Sequence, residues 1–402
     1  MTVQIEDNAA LRHLIRTKIQ GSPEQRISFA EYMAMVLYEP QEGYYTRAGV
    51  DLGPKGDFIT SAHLGCDFGE LLAEQFAEIW QRLGRPQPFA VVELGAGQGL
   101  IADQGLAYLQ RHYPDCLAVL NYTLVETSAE LIAVQQQRLK CWQDQGVAIQ
   151  WRSLAEISPE SIVGCVFSNE LVDAFPVHRV QLTDSGLQEV YVTLTEDGLG
   201  FQDTLGELST PRLADYFDRV GIALTPDIYP VGYCTEVNLA ALDWLSAIAS
   251  KIKQGVLITI DYGYPAHRYY GRSRIQGTLQ CYYRHSHHND PYRFMGHQDI
   301  TAHVDFTALE KQGEICGLTT LGVTQQSLFL MALGLGDRLT ALAEITATDP
   351  ASINAALQRR DSLHRLIDPM GVGNFWVLVQ GKGFPLSGDS APLKGLTVPP
   401  LG

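Results

Sequence analysis

Polar side chains follow an apolar segment in the middle of the chain. The stretch VGCVFSNELVDAFPVHRV, residues 163–180, begins as a predicted strand and then presents Asn169, Glu170 and Asp173 before Pro176. Two carboxylates at a strand end can hold a cation such as a guanidinium by bidentate hydrogen bonds, and one of them can accept a proton. The alternative interpretation is a pair of acids that caps the following turn.

A glycine-rich turn, VVELGAGQG, lies directly between another predicted strand and a helix. Gly95, Gly97 and Gly99 allow the backbone to turn sharply and to approach a ligand closely, and the N–H groups at the helix start can bind polar or anionic groups. Leu100 stands where a dinucleotide-binding loop has its third glycine. A tight turn without a ligand is the alternative for the glycines alone.

Two further acids flank this turn. Glu93 stands immediately before it, where a carboxylate suits an ammonium group better than a phosphate. Glu126 ends the next predicted strand, in YTLVETS, where an acid can accept two hydrogen bonds from ribose hydroxyls. Alternatively, Glu126 is a charge at a helix N-terminus beside Thr127 and Ser128. Together these residues favour a nucleoside that carries an amino acid, namely S-adenosyl-L-methionine, over a dinucleotide. Asn169 can then hold the amino-acid part of this ligand or the substrate.

A histidine-rich segment, HSHHNDPYRFMGHQDITAHVDF, occupies residues 285–306. Its spacing contains no closed ligand set and no cysteine pair, so we predict no metal site. We expect instead a substrate-facing loop in which Asp299, His303 and Asp305 organise polar contacts. His303 is a candidate general base, because histidine titrates near neutral pH.

The elements that must position these residues alternate between strand-like and helical patterns, which predicts an α/β fold with a mostly parallel sheet. Ligands bind at the carboxyl ends of the strands in such sheets, where the acids described above stand. Residues 177–238 begin with a predicted hairpin, and residues 262–304 are predicted to form a long loop or lobe. The strand candidates are residues 89–94, 122–126, 147–151, 163–168, 256–261, 319–323 and 375–379.

The composition limits the classes of function. The 402 residues are 46% hydrophobic and 18% charged, which is typical of one large globular domain with insertions or of two domains. A formal net charge of −16 argues against a general nucleic-acid binder. No apolar run is long enough for a membrane span, and no signal or transit peptide is recognised. The seven scattered cysteines indicate reduced thiols, and we expect a cytoplasmic protein.

Several motifs together closely resemble the MidA/NDUFAF7 family of class I methyltransferases, which are assembly factors for respiratory complex I. The resemblance spans most of the chain. The matching motifs are ISFAEYMAMVLYEPQEGYY (27–45), KGDFITSAHLGCDFGELLAE (55–74), VVELGAGQGLIAD (91–103), SNELVDAFPVHR (168–179), GYCTEVN (232–238), LITIDYGYP (257–265), GTLQCYYRHSHHNDPYRFMGHQDITAHVDF (277–306) and GVGNFWVLVQ (371–380).

The resemblance implies a Rossmann-like class I methyltransferase sheet of seven strands and S-adenosyl-L-methionine as methyl donor. It implies a helical N-terminal region with a lid loop (1–84) and a methyltransferase domain (85–382) with insertions at about 177–238 and 262–304. We expect an extended or disordered tail at 383–402. In eukaryotic relatives the implied activity is arginine dimethylation of the 49-kDa subunit of complex I.

The resemblance also assigns roles to individual residues. One departure is TSAHLG, where His63 replaces the acid that the family usually has. Asn169, Glu170 and Asp173 match the NE-x-x-D signature of the family. Asp57, in GDFITS, matches a loop that closes over the donor, and Asp103 matches an acid on the helix after the turn. The donor-binding turn is matched by Glu93, Gly95, Gly97 and Gly99, and the ribose-binding acid by Glu126.

We therefore hypothesise a protein arginine methyltransferase in which Glu170 and Asp173 hold the arginine and accept its proton. The expected partner is a protein substrate, for which the 49-kDa-type subunit of complex I is a candidate. A homodimer is compatible with the predicted lobe at residues 262–304, which is rich in tyrosine and is called the tyrosine-rich lobe below. Two alternatives stay open: a non-catalytic assembly chaperone that binds the donor and a partner, and an NAD-dependent oxidoreductase.

Overall fold

The chain divides into two compact units in the computed structural model. The described residues are 8–47, 60–284, 286–344, 349–385 and 391–398, so Asp57 and His285 lie outside them. The domain limits predicted from the sequence stay predictions. We call Ile59–Leu171, Ser246–Tyr262 and Gly313–Gly402 the core unit, and Met1–Phe58, Val172–Leu245 and Gly263–Gln312 the insert unit.

Strands and helices alternate along much of the chain. The strands are β1 (Arg26–Ser28), β2 (Phe89–Leu94), β3 (Leu120–Val125), β4 (Ala148–Trp151), β5 (Ile162–Asn169), β6 (His178–Thr183), β7 (Gly186–Leu194), β8 (Phe201–Gly206), β9 (Cys234–Val237), β10 (Ile252–Asp261), β11 (Gly263–Tyr264), β12 (Gln280–Tyr283), β13 (Ser286–His288), β14 (Asp299–Thr301), β15 (Val304–Asp305), β16 (Thr319–Gln325) and β17 (Trp376–Lys382). The α-helices are α1 (Ala9–Gly21), α2 (Phe29–Tyr38), α3 (Asp67–Arg82), α4 (Leu100–His112), α5 (Pro114–Ala118), α6 (Ala129–Asp144), α7 (Arg212–Val220), α8 (Leu239–Lys251), α9 (Ala266–Tyr269), α10 (Phe306–Ile315), α11 (Gln326–Leu330), α12 (Gly336–Ala343) and α13 (Pro350–Leu366).

The core unit contains a seven-stranded mixed sheet in the order β16-β17-β10-β5-β2-β3-β4. The five strands from β10 to β4 run parallel, whereas β17 is antiparallel to both of its neighbours. β5 and β10 are almost wholly buried, as their continuous apolar runs predict for central parallel strands. The seven strands correspond in order to the seven candidates, so the predicted α/β class is confirmed.

The carboxyl ends of four parallel strands lie at one edge of this sheet. Leu94 is paired with Val125 on one side and with Ser168 on the other, and Asn169 is paired with Ile260. Because these strands end at nearly the same level, the residues that follow them lie at the same edge. This register positions the glycine turn and the acids after β3, β5 and β10.

The helix α3 supplies one of the largest contributions to the apolar core of this unit. It begins with the acidic residues Asp67 and Glu70 in its first turn, which favour a helix N-terminus, and Gly84 follows its end with a φ of 82°. The apolar residues of α3 form a stripe with helical spacing. The buried members of the stripe include Phe68, Leu71, Leu72, Phe76, Ile79 and Trp80.

The insert unit contains smaller sheets. β1, β7, β6 and β9 form an antiparallel sheet in which β6 and β7 make the predicted hairpin, and β8 adds to β7. A second sheet has the order β13-β12-β14. The helix α2 begins at a capping box between Ser28 and Glu31. Among the described helices, none has both the length and the apolar character that a membrane crossing requires.

Candidate functional site

The glycine turn between β2 and α4 has a left-handed backbone at its three glycines. The φ angles are 68° at Gly95, 52° at Gly97 and 72° at Gly99, a region that favours glycine over other residues. A Cβ atom at Gly95 would lie 2.8 Å from Cδ1 of Leu171. A Cβ atom at Gly97 would meet no atom within 4 Å. Gly97 therefore borders open space, as a turn that approaches a ligand requires.

Side chains of α6 hold the carbonyl groups of this turn. Nε2 of Gln135 donates to the Gly97 carbonyl at 2.7 Å, and Nε of Arg138 donates to the Gln98 carbonyl at 2.8 Å. Gln135 is fully buried, and its Oε1 accepts a hydrogen bond from Nε1 of Trp151 at 2.8 Å. The sequence does not predict these roles, because no local pattern marks a helix residue that reaches a turn some forty positions away.

Glu126 lies between β3 and α6, beside the glycine turn. Its Oε1 accepts hydrogen bonds from the backbone N–H groups of Thr127 at 2.7 Å and Ser128 at 3.0 Å. This is the helix N-terminal arrangement that the sequence left as an alternative. Burial raises the pKa of Glu126, and the backbone N–H groups of Ser128 and Gly97 oppose that rise. The contact with the turn is compatible with ribose binding by the same carboxylate, which stays a prediction.

Glu93 is buried at the end of β2, with 2% of its surface exposed. Its carboxyl group accepts a hydrogen bond of 2.6 Å from the hydroxyl of Tyr122 on β3. Burial raises the pKa of Glu93 to about 8, and the nearby charge of Glu126 adds to this rise. The carboxyl group is therefore largely protonated at neutral pH. A cation placed beside it would favour the charged form.

Asp103 lies in the first turn of α4 and has a partner on α6. Its Oδ1 accepts a hydrogen bond of 2.7 Å from Nε1 of Trp142. This bond joins the helix after the glycine turn to the helix whose side chains hold that turn. A structural role explains the acid without a ligand, and contact with the donor stays a prediction.

The strand β5 ends in an unusual backbone conformation. Glu170 has a φ of 53°, which costs about 1–2 kcal/mol for a residue with a side chain. Its Oε1 accepts hydrogen bonds of 3.0 Å from the Ser61 N–H and from Nδ2 of Asn169. Its own N–H donates to the Ile260 carbonyl, and the next N–H, of Leu171, donates to Asp261. Two hydrogen bonds thus hold this carboxylate, and two backbone N–H groups anchor the chain at the same point.

Asn169 and His63 each have a buried polar atom without a hydrogen-bond partner among the described residues. In Asn169 this atom is Oδ1, an acceptor, since Nδ2 binds Glu170. In His63 it is Nε2, while Nδ1 lies 2.7 Å from Oγ1 of Thr60. Burial lowers the pKa of His63, so its imidazole is neutral near pH 7. Unsatisfied buried atoms of this kind indicate a site where a ligand can supply the missing bond.

Asp173 belongs to the insert unit, because the chain passes from one unit to the other between Leu171 and Val172. The Asp173 carboxylate is buried, and its peptide carbonyl accepts a hydrogen bond from the Ala302 N–H at 2.9 Å. Its charge contributes to the raised pKa of Tyr282, after burial as the main cause.

The insert unit also contains His303 and Asp305. Burial lowers the pKa of His303 to about 4, and the positive charge of Arg274 adds to this effect. Its imidazole is therefore neutral at physiological pH and is a weak base. Burial raises the pKa of Asp305 to about 7, and its carboxyl group accepts hydrogen bonds from Tyr216 at 3.1 Å and from the Ala308 N–H at 3.2 Å. Asp305 thus has a structural role at the start of α10.

The core unit fits S-adenosyl-L-methionine as a ligand. The open backbone at Gly97 admits a ligand to the turn, and the buried Oδ1 of Asn169 is an acceptor that an ammonium group can satisfy. Glu126 supplies a carboxylate beside the same turn. Within the described residues, we find no group of histidine, cysteine and acidic side chains that could hold a metal ion.

Residues 71–324 match the model of a family of S-adenosyl-L-methionine-dependent methyltransferases. The mitochondrial protein arginine methyltransferase NDUFAF7 homolog of Drosophila melanogaster is 31% identical over 360 residues, which are 83% of this chain and 77% of that protein. The human protein arginine methyltransferase NDUFAF7, also mitochondrial, is 30% identical over 396 residues, which are 92% of this chain and 83% of that protein.

A solved structure is similar over nearly the whole chain. It is a COG1565 superfamily member from Burkholderia thailandensis that is bound to S-adenosyl-homocysteine. The TM-score is 0.81 at 32% identity, with 96% of this chain and 94% of that chain covered. The methyl donor is therefore S-adenosyl-L-methionine. This result decides between the two ligands, S-adenosyl-L-methionine and a dinucleotide, that the sequence of the glycine turn left open. The chain belongs to the NDUFAF7 family of S-adenosyl-L-methionine-dependent methyltransferases.

Proposed function

We propose that this protein is a protein arginine N-methyltransferase whose substrate takes part in the assembly of a respiratory or NDH-1-type complex I. The names of the relatives support the arginine specificity and, through NDUFAF7, the link to complex I. The observation that carries the proposal is the carboxylate of Glu170, which a strained backbone and two hydrogen bonds hold at the carboxyl end of β5. Strain at such a position is typical of residues that serve a ligand or a reaction.

The donor-binding roles proposed here follow from the core unit. The turn from Gly95 to Gly99 takes the donor against its backbone, and Glu126 accepts hydrogen bonds from the ribose hydroxyls. Oδ1 of Asn169 accepts a hydrogen bond from the donor's ammonium group, and Glu93, on the neighbouring strand β2, supplies a carboxyl group for that cation. Asp57, outside the described residues, is proposed to belong to a lid that excludes water.

The bound donor supplies a sulfonium-activated methyl group, and transfer forms a nitrogen–carbon bond, breaks the carbon–sulfur bond and releases one proton from the guanidinium. Glu170 is proposed to hold the guanidinium by charge-assisted hydrogen bonds and to accept this proton. The role of Asp173 as an acid that faces an arginine stays a prediction. His303, with a pKa of about 4, is a weaker proton acceptor than a neutral-range base and is proposed only as a secondary one.

The test is transfer of labelled methyl groups to the 49-kDa-type subunit of complex I from the same source, followed by mass spectrometry of its peptides. We expect methylated arginine with the wild-type protein. The Glu170→Gln variant keeps the shape of the side chain and should lose about 10²–10⁴-fold in rate, the usual contribution of a general base. Glu344→Gln, at an exposed glutamate of the core unit, is the matched control and should be unaffected.

Two results would contradict the proposal. One is an unchanged rate in Glu170→Gln, which would remove the role of that carboxylate. The other is donor binding without transfer to any complex I subunit, which would favour an assembly chaperone instead. A homodimer through the tyrosine-rich lobe and a cytoplasmic location stay predictions.

A further inference from the structure

One face of the small sheet β13-β12-β14 in the insert unit is polar. β12 and β14 pair antiparallel, so that Tyr282 lies opposite Asp299 and Gln280 opposite Thr301. Because side chains alternate along a strand, these four project from one face, where the β14 residues are buried and the β12 residues are half-buried. Ile300, between Asp299 and Thr301, projects to the other face and is fully buried in the apolar core. The sheet thus separates an apolar face from a polar one.

The hydroxyl of Thr301 is unsatisfied on this face. Thr301 is 2% exposed, and within the described part of the chain its Oγ1 has no hydrogen-bond partner. A buried hydroxyl without a partner destabilises the folded state. Its neighbour on the same face, Asp299, is 3% exposed and accepts a hydrogen bond of 2.8 Å from the hydroxyl of Tyr45. A ligand with N–H donors would satisfy Thr301 and face the carboxylate of Asp299 at the same time.

A second buried acid lies near this face. The Ala302 N–H, which directly follows β14, donates to the carbonyl of Asp173, and the Asp173 side chain is 6% exposed. The charges of Asp299 and Asp173 both raise the pKa of Tyr45, after burial as the main cause. Both acids therefore lie within electrostatic range of one tyrosine side chain. Buried negative charge from two carboxylates around one side chain favours a positively charged ligand.

Aromatic rings border the two acids. Tyr45 stacks on Tyr38 with ring centroids 5.5 Å apart and an interplanar angle of 22°. The hydroxyl of Tyr38 donates to the carbonyl of Ala174, the residue after Asp173, at 2.9 Å. A planar guanidinium can stack on such rings while its fork of N–H groups faces carboxylate and hydroxyl oxygens. The combination suits a guanidinium better than an ammonium group, whose three donors are not coplanar.

We propose that the polar face formed by Gln280, Tyr282, Asp299 and Thr301, together with Asp173 and Tyr45, binds the guanidinium group of the substrate's arginine. Asp299 and Asp173 supply the negative charge, and Oγ1 of Thr301 accepts one N–H. This inference rests on the proposed function, because it names the residues of the insert unit that select the arginine. Thr301 and Asp299 are binding residues here, and neither is proposed to take part in the methyl transfer itself.

The probe is N-acetyl-L-arginine amide, compared with N-acetyl-L-citrulline amide, which has nearly the same shape and no charge. Both are titrated by saturation-transfer NMR into the full protein saturated with S-adenosyl-homocysteine. We expect millimolar binding of the arginine probe, on the order of −4 kcal/mol, and at least about tenfold weaker binding of the citrulline probe. Equal binding of the two probes would overturn the inference, as would equally tight binding of N-acetyl-L-lysine amide.

Substitutions in the proposed site test whether the arginine probe binds there. Asp299→Asn retains an acceptor for Tyr45, and Thr301→Val keeps the shape of the side chain, so both should fold. We expect a loss of about tenfold or more in arginine-probe affinity for Asp299→Asn, and about threefold to tenfold for Thr301→Val. Thr235→Val is the matched control, because Thr235 is an equally buried threonine of the same unit on a different sheet. Its affinity should be that of the wild type.

The affinity for S-adenosyl-homocysteine, measured by calorimetry, checks that each variant is folded. Unchanged arginine-probe binding in folded Asp299→Asn and Thr301→Val would overturn the inference. Failure of the proposed function gives a different result: the arginine probe would bind as expected, but no protein substrate would be methylated.

Discussion

Two regions of this protein present buried polar groups, and they are built in different ways. At the edge of the core sheet, the glycine turn offers backbone atoms, and side chains such as Gln135 hold that backbone from behind. On the small sheet of the insert unit, the polar groups belong to side chains on neighbouring strands, Asp299 and Thr301 among them. One region uses the main chain and the other uses side chains.

This difference has consequences for what each region tolerates. A backbone site depends on conformation, so a substitution harms it when the new side chain forces φ away from its native value. A side-chain site depends on chemical groups, so a substitution that keeps the shape but removes an oxygen harms it directly. The core region also has a titrating acid, Glu93, whose pKa lies near 8, whereas His303 in the insert unit has a pKa near 4. Only Glu93 changes its protonation state between pH 7 and 9.

The largest expected effect is the dependence of stability on pH through Glu93. Its pKa rises from an ordinary value of 4.5 to about 8 in the folded protein. The folded state therefore holds a proton that the unfolded state has released between these two values. The stabilisation is complete below about pH 4.5 and is lost as the pH rises through about 8, with a slope of up to about 1.4 kcal/mol per pH unit.

The measurement is urea unfolding of the wild type and of Glu93→Gln at pH 5.5, 7 and 8.5. Glutamine keeps an acceptor for Tyr122 and cannot lose a proton, so the variant should lack this dependence. Calorimetry of S-adenosyl-L-methionine binding in buffers of different ionisation enthalpy adds a second readout. If Glu93 faces the ammonium group, binding releases protons at pH 7. No difference between wild type and variant in either experiment would contradict the burial of an ionisable group here.

Local sequence patterns explain why so much of the core sheet could be predicted. Each of its strands is an apolar run bounded by turn residues, and the glycine turn is contained within ten residues. The partners of the acids could not be predicted in this way. Tyr122 meets Glu93 and Trp142 meets Asp103 because β2 pairs with β3 and α4 packs near α6, and these contacts join residues about thirty to forty positions apart.

The next largest loss of stability is expected from alanine substitutions at two glycines of the same turn. Gly95→Ala adds a Cβ atom 2.8 Å from Leu171 at a φ of 68°, so strain and crowding should together cost about 2–3 kcal/mol. Gly97→Ala meets no atom within 4 Å and should cost only about 1–2 kcal/mol through its φ of 52°. Thermal unfolding measures both. Equal losses of stability would show that crowding at Leu171 is relieved without cost.

A smaller effect is expected from Gln135→Leu, which removes both hydrogen bonds of a fully buried side chain. The Gly97 carbonyl and the Trp151 N–H lose their partners, and we expect about 1–3 kcal/mol of lost stability. Affinity for S-adenosyl-homocysteine should fall about threefold to tenfold, since the turn is no longer held. Gln110→Leu, at an exposed glutamine of α4, is the control. Unchanged affinity would mean that the turn keeps its shape without α6.

The polar face of the insert unit illustrates what no local pattern can predict. Its members come from separate parts of the chain, such as Tyr45, Asp173 and Thr301, and strand pairing brings some of them to one face. Asp173 was visible in the sequence as an acid after a predicted strand, and Asp299 as a polar residue of the predicted substrate-facing loop. The importance of Thr301 was not, because a threonine in a strand is ordinary and only the structure reveals that its hydroxyl lacks a partner.

The smallest effect is expected from His303→Gln. This variant tests the titration of His303 in the insert unit, in contrast to that of Glu93 in the core unit. With a pKa of about 4, His303 is already neutral throughout the range from pH 5.5 to 8, so it cannot produce an inflection there. We expect the pH–rate profile of methyl transfer to have the same shape in wild type and variant, with a change in rate below about threefold. A change in rate centred near pH 6.5 that is present in the wild type and absent in His303→Gln would show instead that His303 titrates at its ordinary value. Binding of substrate would then have to relieve its burial or offset the charge of Arg274, the two causes that lower its pKa.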